Sequence, residues 1–193
     1  MSKAFAGYMQ FIWAGVIKQL QMGAILPSQR FLIEKMIAPI PKTYRGQVVE
    51  LGAGNGALTL RLAAKCPEAR ILACEINQTL ARYTRHNLRC AGLSGRVTVK
   101  PSGAEKMLAD MANTGVERPD FVVSGVPIGN FTKARTIALL ELISKTVEER
   151  GMYIQFQHFL RDRKTVKTIF PNLRTIPVLL NFPPAVVYYA RRS

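Results

Sequence analysis

A glycine-rich turn between an apolar strand and a helix constrains this chain more than any other feature. It reads Val48-Val49-Glu50-Leu51-Gly52-Ala53-Gly54-Asn55-Gly56-Ala57-Leu58-Thr59 and runs on into Leu60-Arg61-Leu62-Ala63-Ala64-Lys65. The pattern predicts a buried strand, a tight loop and a helix. Gly52, Gly54 and Gly56 let the backbone turn sharply and bring a ligand close to the main chain. The free amides at the start of the following helix then face that ligand. The spacing is G-x-G-x-G, whereas the dinucleotide fingerprint is G-x-G-x-x-G, so the loop alone does not choose the ligand. The next unit sharpens it. Arg70 to Glu75 predicts a second strand ending in an acid, and Glu75 lies 23 positions after Gly52. That is close to the roughly 20-residue spacing of an acid that holds ribose hydroxyls. A carboxylate suits the task because it accepts two hydrogen bonds from a diol.

Units of this kind recur along the chain. Gln78 to Cys90 predicts a helix ended by Gly92, with Arg82, Arg85, His86 and Arg89 on its polar side, His86 as a solvated residue. Val97 to Val99 predicts a third strand, with a loosely helical stretch near Asp110 and Glu117. Phe121 to Ser124 predicts a fourth strand, Thr132 to Glu149 a helix closed by Gly151, and Met152 to Gln157 a fifth strand. Strands alternating with helices imply a parallel doubly wound sheet, with the ligand at the carboxyl ends of its strands. Ser124-Gly125-Val126-Pro127-Ile128 and His158 follow strands four and five directly, so they belong to that rim. Arg174 to Leu180 and Ala185 to Tyr189 predict a terminal hairpin joined by Asn181 to Pro184.

Three stretches stand apart. Ala4 to Met22 carries Phe5, Tyr8, Ile12, Trp13, Val16 and Leu20 at helical spacing, with Lys3 and Lys18 off the stripe. That helix either packs on the domain or lies in a membrane interface with Trp13 inserted. Ser28 is the expected N-cap of a second helix, Gln29 to Ile37, ended by Pro39 and Pro41. Late in the chain Arg161, Arg163, Lys164 and Lys167 alternate with Leu160, Val166, Ile169 and Phe170. This is a short basic amphipathic helix, either a solvated face over core or a cationic surface for lipid phosphates.

The length of 193 residues suits one domain: a helix over 1–22, a lead-in over 23–47 and a core over 48–193. No apolar run reaches the ~18 residues of a membrane span, and no secretory signal is visible. Cys66, Cys74 and Cys90 are odd in number and lack metal-ligand spacing, so they read as reduced thiols of a cytoplasmic protein with no metal. The net charge of +15 calls for a polyanion, nucleic acid or an anionic membrane surface.

The pairing of E-L-G-A-G-N-G with C-E-I-N resembles the S-adenosylmethionine (SAM) methyltransferases. With L-P-S-Q-R-F-L at 26–32, D-F-V-V-S-G-V-P-I at 120–128, Y-I-Q-F at 153–156 and N-F-P-P-A at 181–185, the chain resembles the bacterial phospholipid and ornithine-lipid N-methyltransferases. The resemblance implies an α/β Rossmann-like fold: a mostly parallel seven-stranded sheet, helices on both faces, an antiparallel C-terminal hairpin and an amphipathic N-terminal helix. It implies methylation of phosphatidylethanolamine, its partly methylated derivatives or ornithine lipid, with S-adenosylhomocysteine as product. The enzyme would sit peripherally on the inner face of the plasma membrane. One departure is local: Ser102-Gly103-Ala104 stands where relatives usually carry G-D-A, so Ser102 with the neighbouring backbone, or Glu105, must supply the adenine contact.

The expected site follows from these motifs. Glu50, Gly52, Ala53, Gly54 and Asn55 surround the methionine portion, Glu75 and Ile76 the ribose and adenine, and Ser102 and Ala104 the adenine edge. Ser124 faces the methyl end, and Ser28 and Arg30 close over the site. His158 and Tyr153, with Glu50 lower down, are the candidate proton acceptors, and Tyr8 and Tyr44 would line an amine pocket through their ring faces. Trp13, Lys18, Arg161, Arg163, Lys164 and Lys167 would meet the anionic membrane.

The competing reading is an rRNA adenine N-methyltransferase, which the charge would also serve. Base methyltransferases hold the exocyclic amine with a side-chain amide and stack a ring on the flipped base in an N-x-P-Y type motif. Here Gly125 and Ile128 occupy those positions, which favours an aliphatic amine and no stable nucleic-acid partner. A third reading is a SAM-binding protein without catalysis.

Overall fold

The computed structural model describes residues 27–114, 117–181 and 183–192, with the backbone alone for 27 and 28. The expected helix from Ala4 to Met22, with Tyr8, Trp13 and Lys18, lies outside the described residues. Among the described residues seven strands form one sheet: β1 (Gln47–Leu51), β2 (Arg70–Cys74), β3 (Val97–Lys100), β4 (Phe121–Ser124), β5 (Met152–Gln157), β6 (Asn172–Val178) and β7 (Ala185–Arg191). Their order is β3-β2-β1-β4-β5-β7-β6. The first five run parallel, and β7 pairs antiparallel with both β5 and β6. The expected doubly wound sheet and hairpin are both present. Pro177 sits in β6, the sheet edge, where a missing amide costs no internal pairing.

Strand periodicity sorts side chains to two cores. Val48, Ile71, Val99, Val123 and Ile154 face α1 (Pro27–Ile37), α2 (Ala57–Lys65) and α3 (Gln78–Cys90). Val49, Leu51, Val122 and Tyr153 face α4 (Ala104–Asn113), α5 (Lys133–Thr146) and α6 (Arg163–Ile169). Burial on both faces explains why the strands read as apolar runs.

Several boundaries differ from the sequence reading for local reasons. Helix α1, described from Pro27 onward, includes Ser28, so Ser28 lies within the helix and is not its cap. Helix α5 stops at Thr146, because Val147 turns extended to enter the core. Gly151 therefore does not close that helix. It lies where the chain passes Asp120, and an added Cβ would stand 2.7 Å from the Asp120 carbonyl oxygen. Gly92 does terminate α3, at φ +68°, with its N–H donating to the Arg89 carbonyl.

Tyr44 is displaced from its expected role. Its hydroxyl donates to Asp120 Oδ2 at 2.7 Å and lies 3.1 Å from the Gln47 carbonyl, and its ring meets Phe121 edge-on at 5.1 Å. These partners are at the amino ends of β1 and β4, about 13 Å of strand away from the glycine loop. Tyr44 therefore cannot line an amine pocket at the carboxyl rim. Burial and the neighbouring Asp120 carboxylate push its phenol pKa well up, so it remains a neutral donor. Tyr44→Phe should lower stability by about 1–2 kcal/mol through the lost hydrogen bond to Asp120 and leave any activity at the carboxyl rim unchanged. Denaturation together with an activity assay checks both.

Candidate functional site

The sheet reverses direction of winding between β1 and β4, and the glycine loop fills that switch point. The N–H groups of Gly52 and Ala53 both donate to the Cys74 carbonyl, at 3.0 and 2.8 Å, which bends the loop across the end of β2. Gly52, Gly54 and Gly56 all have positive φ, at 80°, 56° and 82°. Glu75 braces the turn: Oε2 accepts from Gly54 N–H and Oε1 from Asn77 N–H, each at 2.8 Å. Each oxygen keeps a second lone pair for a ligand diol. Asn55 Oδ1 accepts from Ala57 N–H at 3.1 Å and starts α2. Thr84 donates its hydroxyl to the Gly54 carbonyl at 2.9 Å. Thr84 was not foreseen; its one sequence signal is an uncharged hydroxyl on the inward side of an otherwise basic helix.

The two inner glycines differ in what surrounds them. Nothing lies within 4 Å of a Cβ built on Gly54, whereas one on Gly56 would meet Thr84 Cγ2 at 2.7 Å. Gly54→Ala should therefore cost only the backbone strain, about 1–2 kcal/mol. Gly56→Ala adds displacement of Thr84 and loss of its hydrogen bond, for roughly 2–4 kcal/mol in all. Urea unfolding of the two variants separates them, and equal losses would count against the packing described.

Glu50 is fully buried on the α2 side of β1, and neither carboxylate oxygen has a hydrogen-bond partner. Burial pushes its pKa up to about 7, the Glu75 charge adds to this, and the nearby Thr59 hydroxyl acts in the opposite direction. A buried carboxylate without a partner calls for a cationic donor. The Ser102 hydroxyl is likewise buried and unpartnered. Glu105 is taken: Arg135 donates to its Oε1 from Nε and Nη2 at 2.9 and 2.8 Å. Of the two candidates for the missing acid, Ser102 is the free one. Beside it Ile76 is 74% exposed, with Cδ1 3.7 Å from the Cβ position of Gly103, and Ala104 is buried at the start of α4. The rim thus offers a carboxylate for a cation, an acid for a diol, a hydroxyl and an apolar wall for a flat ring.

The other half of the rim is held by a buried amide. Gln155 Nε2 donates to the Val126 and Phe156 carbonyls at 3.0 and 2.6 Å, and Gln155 Oε1 accepts from the Tyr153 hydroxyl at 2.6 Å. Gln155 was another omission, signalled only by a polar residue inside a buried strand. Ser124 is buried, and its Oγ accepts from Val126 N–H at 3.2 Å, so it shapes the loop after β4. Tyr153 is fully buried, packs on Phe170 at 5.4 Å, and burial pushes its phenol pKa well up. It is a donor that fixes Gln155, unsuited to accept a proton at the rim.

His158 sits half-buried at the end of β5, edge-on to Phe156, with Nδ1 3.1 Å from the Pro184 carbonyl. A carbonyl only accepts, so this contact is a hydrogen bond when Nδ1 carries the proton. The neutral ring then presents a bare Nε2 lone pair. Arg161 donates to the Gly129 carbonyl, and Arg163, Lys164 and Lys167 are exposed on α6, whose Val166 enters the core. Arg30 is exposed on α1, and the Ser28 side chain lies outside the described residues. Among the described residues no cluster of His, Cys, Asp and Glu could hold a metal, and the three cysteines are unpaired.

Comparison with known proteins agrees with this geometry. The sequence profile of the family "Methyltransferase small domain" matches residues 26–178. An ornithine lipid N-methyltransferase of Singulisphaera acidiphila is 26% identical over 178 residues, covering 88% of each chain. A tRNA1(Val) (adenine(37)-N6)-methyltransferase of Aeromonas hydrophila is 33% identical over 86 residues, 44% of this chain and 36% of that protein. Among solved structures, an O-methyltransferase from Bacillus cereus in complex with SAH superposes with a TM-score of 0.68 at 16% identity, covering 92% of this chain and 90% of that one.

Proposed function

The chain belongs to the methyltransferase small domain family and is a SAM-dependent methyltransferase; from that premise we propose that it methylates the amine head group of a membrane lipid. Ornithine lipid and phosphatidylethanolamine are the candidate substrates. Gly125 carries the proposal. Glycine there supplies no side-chain amide to grip a base, and a Cβ would stand 3.0 Å from the Gly52 carbonyl oxygen, a tight contact. Ile128 is fully buried and offers no ring to stack on a base. The extended similarity to an ornithine lipid enzyme supports the same reading.

The residues present fit the cofactor. Glu50 would pair with the α-ammonium, the loop over Gly52 to Asn55 would cradle the amino-acid portion, and Glu75 would accept from the ribose hydroxyls. Ile76 and Ala104 would wall the adenine, with the Ser102 hydroxyl at its edge. When bound, SAM supplies an electrophilic methyl on a sulfonium. The chain's own contribution is orientation and removal of one proton. A substrate ammonium has no lone pair until it is deprotonated, and His158 Nε2 would accept that proton; the position of His158 directly after β5 supports the role. Tyr153, Gln155 and Ser124 act on the chemistry by holding the 124–128 loop.

Arg161, Arg163, Lys164 and Lys167 would meet lipid phosphates at the membrane surface. No described helix is long and apolar enough to cross a membrane, and the proposed attachment is peripheral, at the cytoplasmic face. Lys164→Gln with Lys167→Gln should weaken binding to anionic vesicles roughly thirtyfold at low salt, at about 1 kcal/mol per surface cation. SAM affinity should not move; equal loss of both would remove the membrane role from α6.

The function itself is tested by expressing the chain in a bacterium whose amino lipids carry no N-methyl groups. Extracted lipids should gain methylated head groups with the wild type and none with Gly54→Glu, which fills the open position over the loop. Unchanged lipids in both would contradict the proposal.

A further inference from the structure

Two loops leave the sheet at its carboxyl end beside the acceptor side of the rim, and both expose large apolar side chains. After β5 come Phe159 and Leu160, 52% and 55% exposed; after β6 come Leu179 and Leu180, 77% and 69% exposed. The register puts the loops side by side: Gln157 pairs with Val186, which pairs with Pro177, and Val178 pairs with Ala185. The His158 contact with the Pro184 carbonyl ties one loop to the other. Leucines this exposed on adjacent loops have no role in the core, and grouped apolar exposure marks an interaction surface.

The charge around them selects the occupant. The segment that follows the first loop, residues 161–167, holds Arg161, Arg163, Lys164 and Lys167 against a single acid, Asp162. Apolar tips set in a cationic border match the acyl boundary and phosphate layer of an anionic bilayer.

We propose that Phe159, Leu160, Leu179 and Leu180 form a lip that inserts into an anionic bilayer, so that the acceptor side of the site, with His158 between the loops, opens directly onto the lipid head groups. The inference rests on the lipid reading and adds to it an orientation. It gives the domain a membrane contact of its own, separate from residues 1–22. It also explains how an amine held in a bilayer reaches the rim without leaving the membrane.

The test places a nitrobenzoxadiazole fluorophore on Leu179→Cys in a Cys90→Ser background, Cys66 and Cys74 being buried. Vesicles of phosphatidylglycerol with phosphatidylethanolamine should raise the emission several-fold and shift it to the blue; neutral phosphatidylcholine vesicles should do so far less. An unchanged spectrum with anionic vesicles, or a change that appears only with RNA or with rising protein concentration, overturns the lip. In a parallel assay, Leu179→Ser with Leu180→Ser should cut methylation of vesicle-borne amino lipid on the order of tenfold. It should leave methylation of a short-chain, monomerically dissolved amino lipid at the wild-type rate. Equal rates on vesicles overturn the lip and leave the lipid reading standing. Failure of the wild type on both lipid forms overturns the lipid reading itself.

Discussion

Replacing Glu50 by Gln should stabilise the free protein above neutral pH and weaken SAM binding roughly a hundredfold. The opposed effects share one cause. Glu50 is buried with both oxygens unpartnered, and its pKa is raised from 4.5 to about 7, first by burial. Below pH 4.5 the group is protonated in the folded and unfolded chains alike and imposes no penalty. Between about pH 4.5 and 7 the unfolded chain has released the proton while the folded chain still holds it, so stability falls as pH rises. Above pH 7 the loss reaches its full size, roughly 3 kcal/mol at 1.36 kcal/mol per pH unit. Gln cannot ionise, so the variant should lose this slope, which urea unfolding at pH 5 and pH 8 measures. A variant with the wild-type slope would mean that another group titrates. The cofactor's ammonium would compensate the buried charge, and truncating one side of such a pair costs about 2–5 kcal/mol. Because that ammonium favours the carboxylate, binding to the wild type near pH 6 should release a proton. Calorimetry in two buffers of different ionisation heat detects it, and the Gln variant should show none.

His158→Ala should lower kcat by roughly 10²–10⁴-fold, the range of general acid–base catalysis, with SAM affinity unchanged. Nδ1 lies 3.1 Å from the Pro184 carbonyl, which leaves Nε2 as the ring nitrogen for the proposed proton transfer. Removing it leaves the substrate proton without an acceptor but leaves the glycine loop untouched. Added imidazole should restore part of the rate in the alanine variant. A loss below tenfold without imidazole rescue would reduce His158 to a spacer between the two loops.

The fold was legible because its signals are local. The strand-loop-helix at 48–65 and the acid at Glu75 sit at fixed spacing, and the remaining strands announce themselves as short apolar runs. The misplaced residues had readable signals too. Tyr44 precedes β1 by three positions, which puts it at the amino end of a parallel strand and away from any ligand at the carboxyl end. Tyr153 is the second residue of β5, inside the sheet, where alternation turns it into the core. Thr84 and Gln155 were not legible. Their partners, the Gly54 and Val126 carbonyls, are 30 and 29 positions away, and such contacts exist only once the strands are ordered. The orphaned state of Glu50 was equally hidden, since the sequence shows an acid in an apolar strand but not what fails to reach it.

The most direct measurement is methyl transfer from labelled SAM with phosphatidylethanolamine vesicles, ornithine-lipid vesicles and small-subunit ribosomal RNA side by side, each with and without anionic lipid. Label in a lipid head group, increased by anionic vesicles and abolished by Gly54→Glu, is the predicted result. Label in RNA alone would contradict it, and would mean that the loop at Gly125 grips a base by groups other than a side-chain amide.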